Sequence, residues 1–332
     1  MSPHRIYVTR EIPEVGLRML RSKGYDVTVG TDKKPLSQNK IIKILTTAEK
    51  EGQPYNILLT LLTDKIDKKV FYAAPSLKMI SNYAIGFDNI DVKDAAFRGI
   101  MVTNTPGDYI GSISEHVVAL TLSLCNRIAE ADHFVRRGKY KGWDPMLMIG
   151  HDVSEKTVGI IGAGRIGEKT AYSFNKGFGC KIVYFDHIKN EKMEQELGAE
   201  KIEDLDVFIA QSDIISLHIP ACTETYHMIN KAFIDKMKPD AYIINTSRGT
   251  VVDEKYLYQA LKAGKIAGAG LDVFEFEPKV TRGLKKLSNV ILTPHIASAS
   301  EKARNMMSEI AAQNIIDFVE GKEVLNTCLK ST

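Results

Sequence analysis

A glycine-rich turn between two apolar runs constrains this 332-residue chain more than any other feature. The run Lys156–Ile161 leads into Gly162-Ala-Gly-Arg-Ile-Gly167, and a segment compatible with a helix follows from Glu168 to Phe174. A second apolar run, Lys181–Phe185, ends in an acid, Asp186. Strand, tight turn, helix, strand and acid in this order predict a dinucleotide-binding βαβ unit.

Each residue type in this unit has a physical task. We expect Gly162 to permit the tight turn, Gly164 to leave room for a pyrophosphate, and Gly167 to let the helix pack closely on the strand. The N–H groups at the start of the helix face the phosphates. Asp186 is placed to accept hydrogen bonds from the adenosine ribose and to repel a 2′-phosphate. The alternative, a glycine-rich loop of an unrelated α/β protein, is disfavoured by the flanking strand and acid, so the predicted cofactor is NAD.

Composition and charge exclude several other classes of protein. With 44 basic and 41 acidic side chains, the chain has no charge excess that favours nucleic acid or membrane partners. The first residues have no apolar signal segment, and no apolar run is long enough to span a bilayer. The four cysteines lie far apart without metal-ligand spacing, which predicts no metal site and thiols in a reducing compartment. We therefore expect a cytoplasmic protein.

Short apolar runs alternate with amphipathic stretches almost throughout, which predicts parallel α/β architecture. An α/β series already begins at residue 5, so a separate domain precedes the dinucleotide unit. The predicted strands are Arg5–Thr9, Ile57–Leu62, Met79–Tyr83, Met101–Thr103, Ile214–His218, Ala241–Asn245, Ile266–Asp272 and Val290–Thr293. The predicted helices include Pro13–Ser22, Lys68–Ala74 and Glu301–Phe318.

One long helix is predicted from Ser112 to about Arg137. Ser112 and Ser114 are placed to cap its start. Its middle, Val117–Leu124, is almost continuously apolar, which predicts burial on several sides, within the domain or against a second subunit.

The segment after this helix breaks helical periodicity. Tyr140–His151 contains two glycines, a proline and the only tryptophan, Trp143, and is expected to form an extended arm or connector. We expect the protein to be a homodimer, with the long helix and the Trp143 arm at the interface.

From end to end the chain resembles the D-isomer-specific 2-hydroxyacid dehydrogenases. The matching blocks occur in family order at Tyr83–Asp91, Gly162–Gly167, Ser216–Pro220, Asn245–Gly249, Gly270–Pro278 and Thr293–Ser300. The resemblance implies two Rossmann-like or flavodoxin-like α/β domains with parallel sheets, the cofactor domain being inserted into the substrate domain. It places residues 1–103 and 299–332 in the substrate (catalytic) domain and residues 104–298 in the NAD-binding Rossmann domain.

Reduction of a 2-keto acid by NADH needs a cation, a proton donor and a partner for that donor. Arg248 can hold the substrate carboxylate with its planar fork. His295 can donate a proton to the developing alkoxide, and Glu277 can hydrogen-bond His295 and favour its protonated form. All three fall near predicted C-terminal strand ends, where open α/β sheets bind ligands. A single Arg, Glu or His is more often solvated or structural, but the family assigns these roles to the matching positions.

The resemblance implies further contacts with the cofactor and the substrate. The additional cofactor residues are Arg165 and Ile166 at the phosphates, Ile219 and Pro220 near the adenosine, Thr246 and Arg248 near the nicotinamide, Asp272 at the carboxamide, and Thr225 where many members carry asparagine. The substrate residues are Leu62 at the pocket edge and the backbone N–H groups of Ile85 and Gly86, together with Arg248 and His295. Four other histidines, His116, His133, His218 and His227, lack this support from the family blocks. His218 is expected to be structural or near the cofactor, and His116 to be a packed or surface residue of the long helix. Asp88 and Asp91 are expected to have a structural role in the turn.

Two segments favour glyoxylate or hydroxypyruvate as the 2-keto acid, reduced to the D-2-hydroxy acid and formed again in reverse. Leu61–Ile66 resembles the pocket-edge loop of glyoxylate and hydroxypyruvate reductases. Trp143-Asp-Pro145 resembles an arm that those reductases extend toward the neighbouring subunit, and an interface anchor is the other interpretation of Trp143. The alternative activity is D-lactate dehydrogenase, acting on pyruvate. The alternative from another class is an NAD-sensing, corepressor-like binding protein.

Overall fold

The computed structural model describes residues 4–328, and the chain divides into two compact units. Unit 1 combines Met1–Tyr109 with Ser300–Thr332, and unit 2 is Ile110–Ala299, so the second unit interrupts the sequence of the first. Residues 104–109, which the resemblance placed with the cofactor domain, belong to unit 1. The Thr105 amide donates to the Ala84 carbonyl, and Tyr109 is buried in a core of unit 1.

Unit 1 is built on a five-stranded parallel sheet. Its first nine elements are β1 (Arg5–Val8), α1 (Glu14–Ser22), β2 (Asp26–Val29), α2 (Gln38–Lys50), β3 (Ile57–Leu61), α3 (Lys68–Ala73), β4 (Met79–Tyr83), α4 (Val92–Phe97) and β5 (Met101–Thr103). The strand order is β2-β1-β3-β4-β5, which is the flavodoxin-like order.

Unit 2 is built on a seven-stranded parallel sheet. Its elements are α5 (Ile110–Cys125), α6 (Ile128–Arg136), β6 (Thr157–Ile161), α7 (Arg165–Phe178), β7 (Lys181–Phe185), α8 (Glu191–Leu197), β8 (Glu200–Lys201), α9 (Leu205–Gln211), β9 (Ile214–Leu217), α10 (Lys231–Ile234), β10 (Tyr242–Asn245), α11 (Glu254–Lys262), β11 (Gly268–Leu271) and β12 (Val290–Leu292). The order β8-β7-β6-β9-β10-β11-β12 is that of a Rossmann sheet. The chain then returns to unit 1 as α12 (Glu301–Val319).

Each sheet carries a hydrophobic core on both of its faces, because successive side chains of a strand point to opposite sides. In β6, Val158 and Ile160 enter one core and Ile161 enters the other. In β1, Ile6 and Val8 enter a different core from Tyr7. Strands buried on both faces read as continuous apolar runs, which is why the sequence located most of them. The strands β2 and β8 were not predicted, because neither is a buried apolar run. The predicted class of two parallel-sheet α/β domains is confirmed.

The prediction of one helix from Ser112 to Arg137 is wrong. The helix ends at Cys125, and Arg127 adopts the left-handed conformation with a φ of 55° before α6 begins. The Cys125 carbonyl accepts a hydrogen bond from the His151 amide at 2.9 Å, so a distant segment takes an acceptor that a continuing helix would use.

The expected capping by Ser112 and Ser114 is also wrong, because α5 already begins at Ile110. The Ser114 hydroxyl instead contacts the Lys169 carbonyl at 3.2 Å and the Ser173 hydroxyl at 3.0 Å, which fastens α5 to α7. The apolar middle of α5 is therefore covered largely within unit 2. No helix within residues 4–328 is both long enough and apolar enough to cross a membrane.

The segment between α6 and β6 has no regular secondary structure over Tyr140–His151. Trp143 is 83% exposed, and Met146 and Ile149 are also exposed. The end of this arm is anchored by the hydrogen bond from the His151 amide to the Cys125 carbonyl. Gly150 permits this close approach, because a Cβ there would lie 2.1 Å from the Cys125 carbonyl oxygen. The arm is thus an extended segment with exposed apolar side chains and one anchored end.

Candidate dinucleotide and active site

The turn after β6 has the geometry that its glycines predict. Gly162 has a φ of +92°, and a Cβ there would lie 2.7 Å from the His218 carbonyl oxygen. A Cβ on Gly167 would lie 2.1 Å from the Gly162 carbonyl oxygen, so only glycine lets α7 approach this closely. A Cβ on Gly164 would meet no protein atom within 4 Å. The space beside Gly164 is therefore open to a ligand.

Asp186 follows β7 and reaches back to the glycine-rich turn. Its Oδ2 accepts a hydrogen bond from the Ala163 amide at 2.7 Å, and its Oδ1 accepts one from the Ile188 amide at 2.9 Å. The His187 Nδ1 lies 3.1 Å from the same Oδ1. Two backbone contacts thus orient the carboxylate at the edge of the turn, as the dinucleotide prediction requires.

These residues fit a nicotinamide dinucleotide. The first turn of α7, which contains Arg165 and Ile166, directs helix N-terminal N–H groups toward the open space beside Gly164. The Thr246 hydroxyl, after β10, is buried and has no hydrogen-bond partner within residues 4–328. A buried hydroxyl without a hydrogen-bond partner lowers the stability of the fold, and a bound ligand can supply the missing partner.

The loop after β9 holds the residues expected near the adenosine. The Ile219 side chain borders the turn, because a Cβ on Gly162 would lie 2.9 Å from its Cγ2. The Thr225 hydroxyl donates to the Pro220 carbonyl at 2.7 Å and accepts from the Cys222 amide at 2.9 Å. Thr225 therefore stabilises its own loop, which leaves its hydroxyl little capacity for the cofactor.

A histidine and a glutamate meet beyond the C-terminal ends of β11 and β12. His295 has a φ of 55°, and its amide donates to the Asp272 carbonyl at 2.8 Å. Its Nδ1 lies 3.1 Å from Oε2 of Glu277, whose Oε1 accepts from the Phe274 amide at 3.1 Å. The glutamate is thereby held by both oxygens. Since Nδ1 faces Glu277, the Nε2 on the opposite edge of the ring is the atom that can meet a substrate.

Arg248 lies directly after β10, in the next loop of the same sheet edge. Its Nη1 donates to the Ser247 carbonyl at 2.8 Å, and its own carbonyl accepts from the Asn245 side chain at 2.9 Å. A Cβ on Gly249 would lie 1.9 Å from the carbonyl carbon of Phe274. The loop that carries Arg248 therefore presses against the segment that carries Glu277.

Asp272 is fully buried and anchors the loop that carries His295. Its carboxylate accepts hydrogen bonds from the Thr293 hydroxyl at 2.6 Å and from the Ile296 and Ala297 amides at 2.8 Å each. The His116 Nε2 lies 3.1 Å from the Thr293 hydroxyl and 3.5 Å from Asp272 Oδ1. Burial alone would raise the pKa of Asp272, but these hydrogen bonds outweigh it and hold the pKa below its usual range.

His116 is the residue at this site whose place the sequence reasoning missed. A signal was present, since His116, Leu120 and Leu124 are four residues apart and share one helix face. Leu120 and Leu124 pack on Gly270 of β11, so His116 lies one turn nearer the strand ends. Because His116 lies in no family block, it was expected only to be a packed or surface residue of the long helix.

Unit 1 contains the remaining predicted substrate residues. Leu62 directly follows β3, and Ile85 and Gly86 follow β4. The Ile85 carbonyl accepts from the Asn104 side chain at 2.7 Å, and the Gly86 carbonyl accepts from the Asn82 side chain at 2.9 Å. Because the peptide group is planar and trans, the Gly86 N–H points away from the Asn104 side chain.

The other histidines and the acids of the early turn have structural contacts. His218 Nε2 lies 2.9 Å from the Ser216 hydroxyl, and burial lowers the pKa of His218 to about 3, so the ring is neutral. His133 Nδ1 lies 2.9 Å from the Ala129 carbonyl oxygen. Asp91 caps α4. Asp91 thus has a structural contact at the turn, as expected.

Comparison with known proteins gives the family. A model of the NAD binding domain of the D-isomer specific 2-hydroxyacid dehydrogenases matches residues 118–297. Glyoxylate reductase of Korarchaeum cryptofilum (strain OPF8) is 47% identical over 320 residues, which span 96% of this chain and 93% of the relative. Among solved structures, the TT0316 protein from Thermus thermophilus superposes with a TM-score of 0.90 and 33% identity, covering 98% of this chain and 100% of that one.

Two further solved structures have names that state a reaction. The NADPH-dependent glyoxylate/hydroxypyruvate reductase from Sinorhizobium meliloti, in complex with NADP and malonate, superposes with a TM-score of 0.85 and 30% identity, covering 98% of this chain and 97% of that one. The D-lactate dehydrogenase from Aquifex aeolicus, complexed with NAD and lactic acid, gives a TM-score of 0.83 and 30% identity, covering 98% and 99%.

The Rossmann sheet and the loops at its edge define an oxidoreductase that uses a nicotinamide dinucleotide. Within that class, the chain belongs to the D-isomer-specific 2-hydroxyacid dehydrogenase family. The predicted family and the prediction of an enzyme, rather than a corepressor-like binding protein, are thereby confirmed.

Proposed function

We propose that this protein reduces glyoxylate and hydroxypyruvate to the corresponding D-2-hydroxy acids with NADH, and catalyses the reverse reaction. The observation that carries the proposal is the His295–Glu277 pair, with Nδ1 and Oε2 3.1 Å apart, in loops of the same sheet edge as Arg248. The names of the glyoxylate reductases that resemble the chain over almost its whole length support the substrate class.

The catalytic roles follow from the chemistry of these side chains. When bound, NADH would supply the hydride for the keto carbon. Arg248 holds the substrate carboxylate and polarises the adjacent carbonyl, because its planar fork makes two parallel hydrogen bonds. His295 donates a proton from Nε2 to the keto oxygen, and Glu277 stabilises the imidazolium through Nδ1. Leu62 and the backbone N–H groups of Ile85 and Gly86 are proposed as further substrate-binding groups.

Unit 2 is proposed as the cofactor domain and unit 1 as the substrate domain. We propose Gly162, Gly164, Gly167, Arg165 and Ile166 at the pyrophosphate, Ile219 and Pro220 near the adenosine, Thr246 and Arg248 near the nicotinamide, Asp272 at its carboxamide, and Thr225 as a further cofactor contact. Of these, Thr225 and Asp272 have the weakest support. The Thr225 hydroxyl already makes contacts within its own loop, and the buried Asp272 carboxylate already accepts three hydrogen bonds.

NAD(H) is proposed rather than NADP(H), because of Asp186. Its carboxylate is fixed by the Ala163 and Ile188 amides at the place where a 2′-phosphate would bring further negative charge. His187 beside it reduces this repulsion when protonated. The preference is therefore expected to be clear but incomplete.

D-Lactate dehydrogenase is the second candidate activity. It is favoured by the similarity to the Aquifex aeolicus D-lactate dehydrogenase. Pyruvate differs from glyoxylate by a methyl group, so the two activities differ in what the pocket admits beside the carbonyl carbon. Leu62, at the end of β3, is the residue we propose to set that limit.

Initial rates with NADH and with NADPH test the proposal. Glyoxylate, hydroxypyruvate and pyruvate are each supplied over a concentration range, and kcat/KM is compared. The proposal expects the highest values with NADH and glyoxylate or hydroxypyruvate. A higher kcat/KM for pyruvate would establish the lactate alternative, and no turnover of any of the three would refute the assignment.

We also propose that the protein is a homodimer. The exposed apolar arm residues Trp143, Met146 and Ile149 support this, because a surface Trp among apolar neighbours is typical of interfaces. The α5 middle contributes less than the sequence suggested, since unit 2 covers much of it. A monomeric mass in sedimentation equilibrium at micromolar concentration would contradict the proposal.

A further inference from the structure

A buried acid lies behind the catalytic loops and has no part in the proposed proton transfer. Glu254, the first residue of α11, is 1% exposed. Its Oε1 accepts a hydrogen bond from the Glu275 amide at 2.7 Å, and its Oε2 accepts one from the Thr281 amide at 3.2 Å. These two amides lie on either side of Glu277 in the sequence. One carboxylate thus holds both ends of the segment 275–281.

The same segment is tied back to α11 a second time. The Glu254 amide donates to Glu275 Oε2 at 3.3 Å, and the His227 Nε2 lies 2.8 Å from Glu275 Oε1. The Glu275 side chain is only 8% exposed, so few water molecules can reach its carboxylate, and His227 provides a hydrogen-bond partner in their place. Glu254 also lies at the N-terminus of α11, where the helix dipole stabilises a negative charge.

We propose that Glu254 is a positioning residue for keto-acid reduction. It fixes the backbone from which Glu277 reaches His295, and it does so through hydrogen bonds to the segment rather than to either side chain of the pair. The inference rests on the proposed function for its effect on turnover. The rigid attachment of segment 275–281 to Glu254 is a separate claim that can be measured without substrate.

Glu254→Gln is the informative substitution, because it keeps the shape and removes one acceptor. The carboxamide oxygen can serve one of the two amides, while its NH2 group faces the other as a second donor. A displacement of a catalytic group by about 1 Å costs up to about a hundredfold in rate. We expect kcat for glyoxylate to fall about tenfold to a hundredfold. The Kd of NADH is expected to stay unchanged, since Glu254 makes no hydrogen bond to residues 162–167.

Glu191→Gln is the matched control. Glu191 is likewise the first residue of a helix in unit 2, α8, but it is exposed. Its replacement removes the same charge from a helix N-terminus without touching segment 275–281. We expect kcat and amide exchange in this variant to equal those of the wild type.

Amide hydrogen exchange of the full protein without ligands gives the second readout. In Glu254→Gln, exchange at the Glu275 and Thr281 amides is expected to accelerate at least about tenfold, because each loses or shares a buried acceptor. The Asp272 amide, which donates to the Asn245 carbonyl at 2.9 Å in the sheet, is expected to keep its wild-type rate. This contrast distinguishes a local effect from general loosening of unit 2.

The outcomes separate the two claims. Wild-type kcat or unchanged exchange at Glu275 and Thr281 in Glu254→Gln would overturn the positioning role, as would faster exchange throughout unit 2. A wild-type protein that reduces no 2-keto acid would refute the proposed function and the catalytic part of this inference, while exchange still tests the attachment. If Glu254→Gln does not fold, Glu254→Asp replaces it, because the carboxylate one methylene shorter keeps the charge but cannot reach both the Glu275 and the Thr281 amides. That variant is expected to show a smaller change of the same kind, and unchanged values would overturn the role.

Discussion

Replacing Gly164 by alanine should separate cofactor binding from folding. An added Cβ would meet no protein atom within 4 Å, and the φ of −73° at Gly164 suits alanine. Replacing glycine by alanine at this N-cap lowers the free energy of unfolding by less than about 1 kcal/mol. This corresponds to a decrease in Tm of less than about 4 °C. The proposed pyrophosphate lies where the methyl group would project. Forcing a methyl group into a filled contact costs about 1–3 kcal/mol.

That cost corresponds to an increase of about fivefold to a hundredfold in the Kd of NADH. Titration of NADH fluorescence measures the Kd, and thermal melting without cofactor measures stability. Gly177→Ala is the control, because Gly177 lies within α7 and its added Cβ also meets nothing within 4 Å. An unchanged NADH Kd in Gly164→Ala would refute the placement of the pyrophosphate.

Three further predictions concern other parts of unit 2. Asp186→Ser should narrow the preference for NADH over NADPH, and a wild-type enzyme with higher kcat/KM for NADPH would contradict the reasoning. His116→Leu should lower kcat about threefold to tenfold, because it removes the hydrogen bond with the Thr293 hydroxyl. His116→Gln can replace that hydrogen bond and should keep most of the wild-type kcat. Equal kcat values in the two variants would show that the hydrogen bond to Thr293 does not affect turnover. Burial lowers the pKa of His218 to about 3, whereas the pKa in the unfolded chain is about 6.5. Between these two pH values the unfolded state binds more protons than the folded state. The free energy of unfolding therefore falls as the pH drops from about 6.5 toward 3. His218→Gln should flatten this fall in denaturant melts, and the same acid dependence in both proteins would refute it.

The strands and the glycine turn were predictable because they depend on local sequence. Apolar β-branched runs located strands such as Lys181–Phe185 to the residue. The helix break at Arg127 was not predictable, because apolar residues continue at helical spacing beyond it. The break depends on residues that are distant in sequence. The His151 amide donates a hydrogen bond to the Cys125 carbonyl, and Gly150 lets the arm lie close to the end of α5.

The candidate site shows the same division between local and distant information. The hydrogen bond between Glu277 and His295 was expected from residue types at strand ends and from the family resemblance. The contacts of His116 and Glu254 depend on which helix face meets the sheet and on how a loop folds back. Neither residue belongs to a motif. The helical spacing of His116 with Leu120 and Leu124 gives its helix face, but the partners of both residues follow only from the three-dimensional arrangement.

Single-turnover oxidation of NADH in the presence of glyoxylate tests the central claim most directly, because product release does not affect it. If His295 is the acid, the wild-type rate should fall as the pH rises and the imidazole loses its proton, since reduction requires the protonated ring. Glu277→Gln should lower the rate, because the protonated ring loses the charged hydrogen-bond partner of its Nδ1. His295→Ala should lose at least about a hundredfold in rate and lack this pH dependence. Wild-type rates in His295→Ala across the pH range would contradict the account.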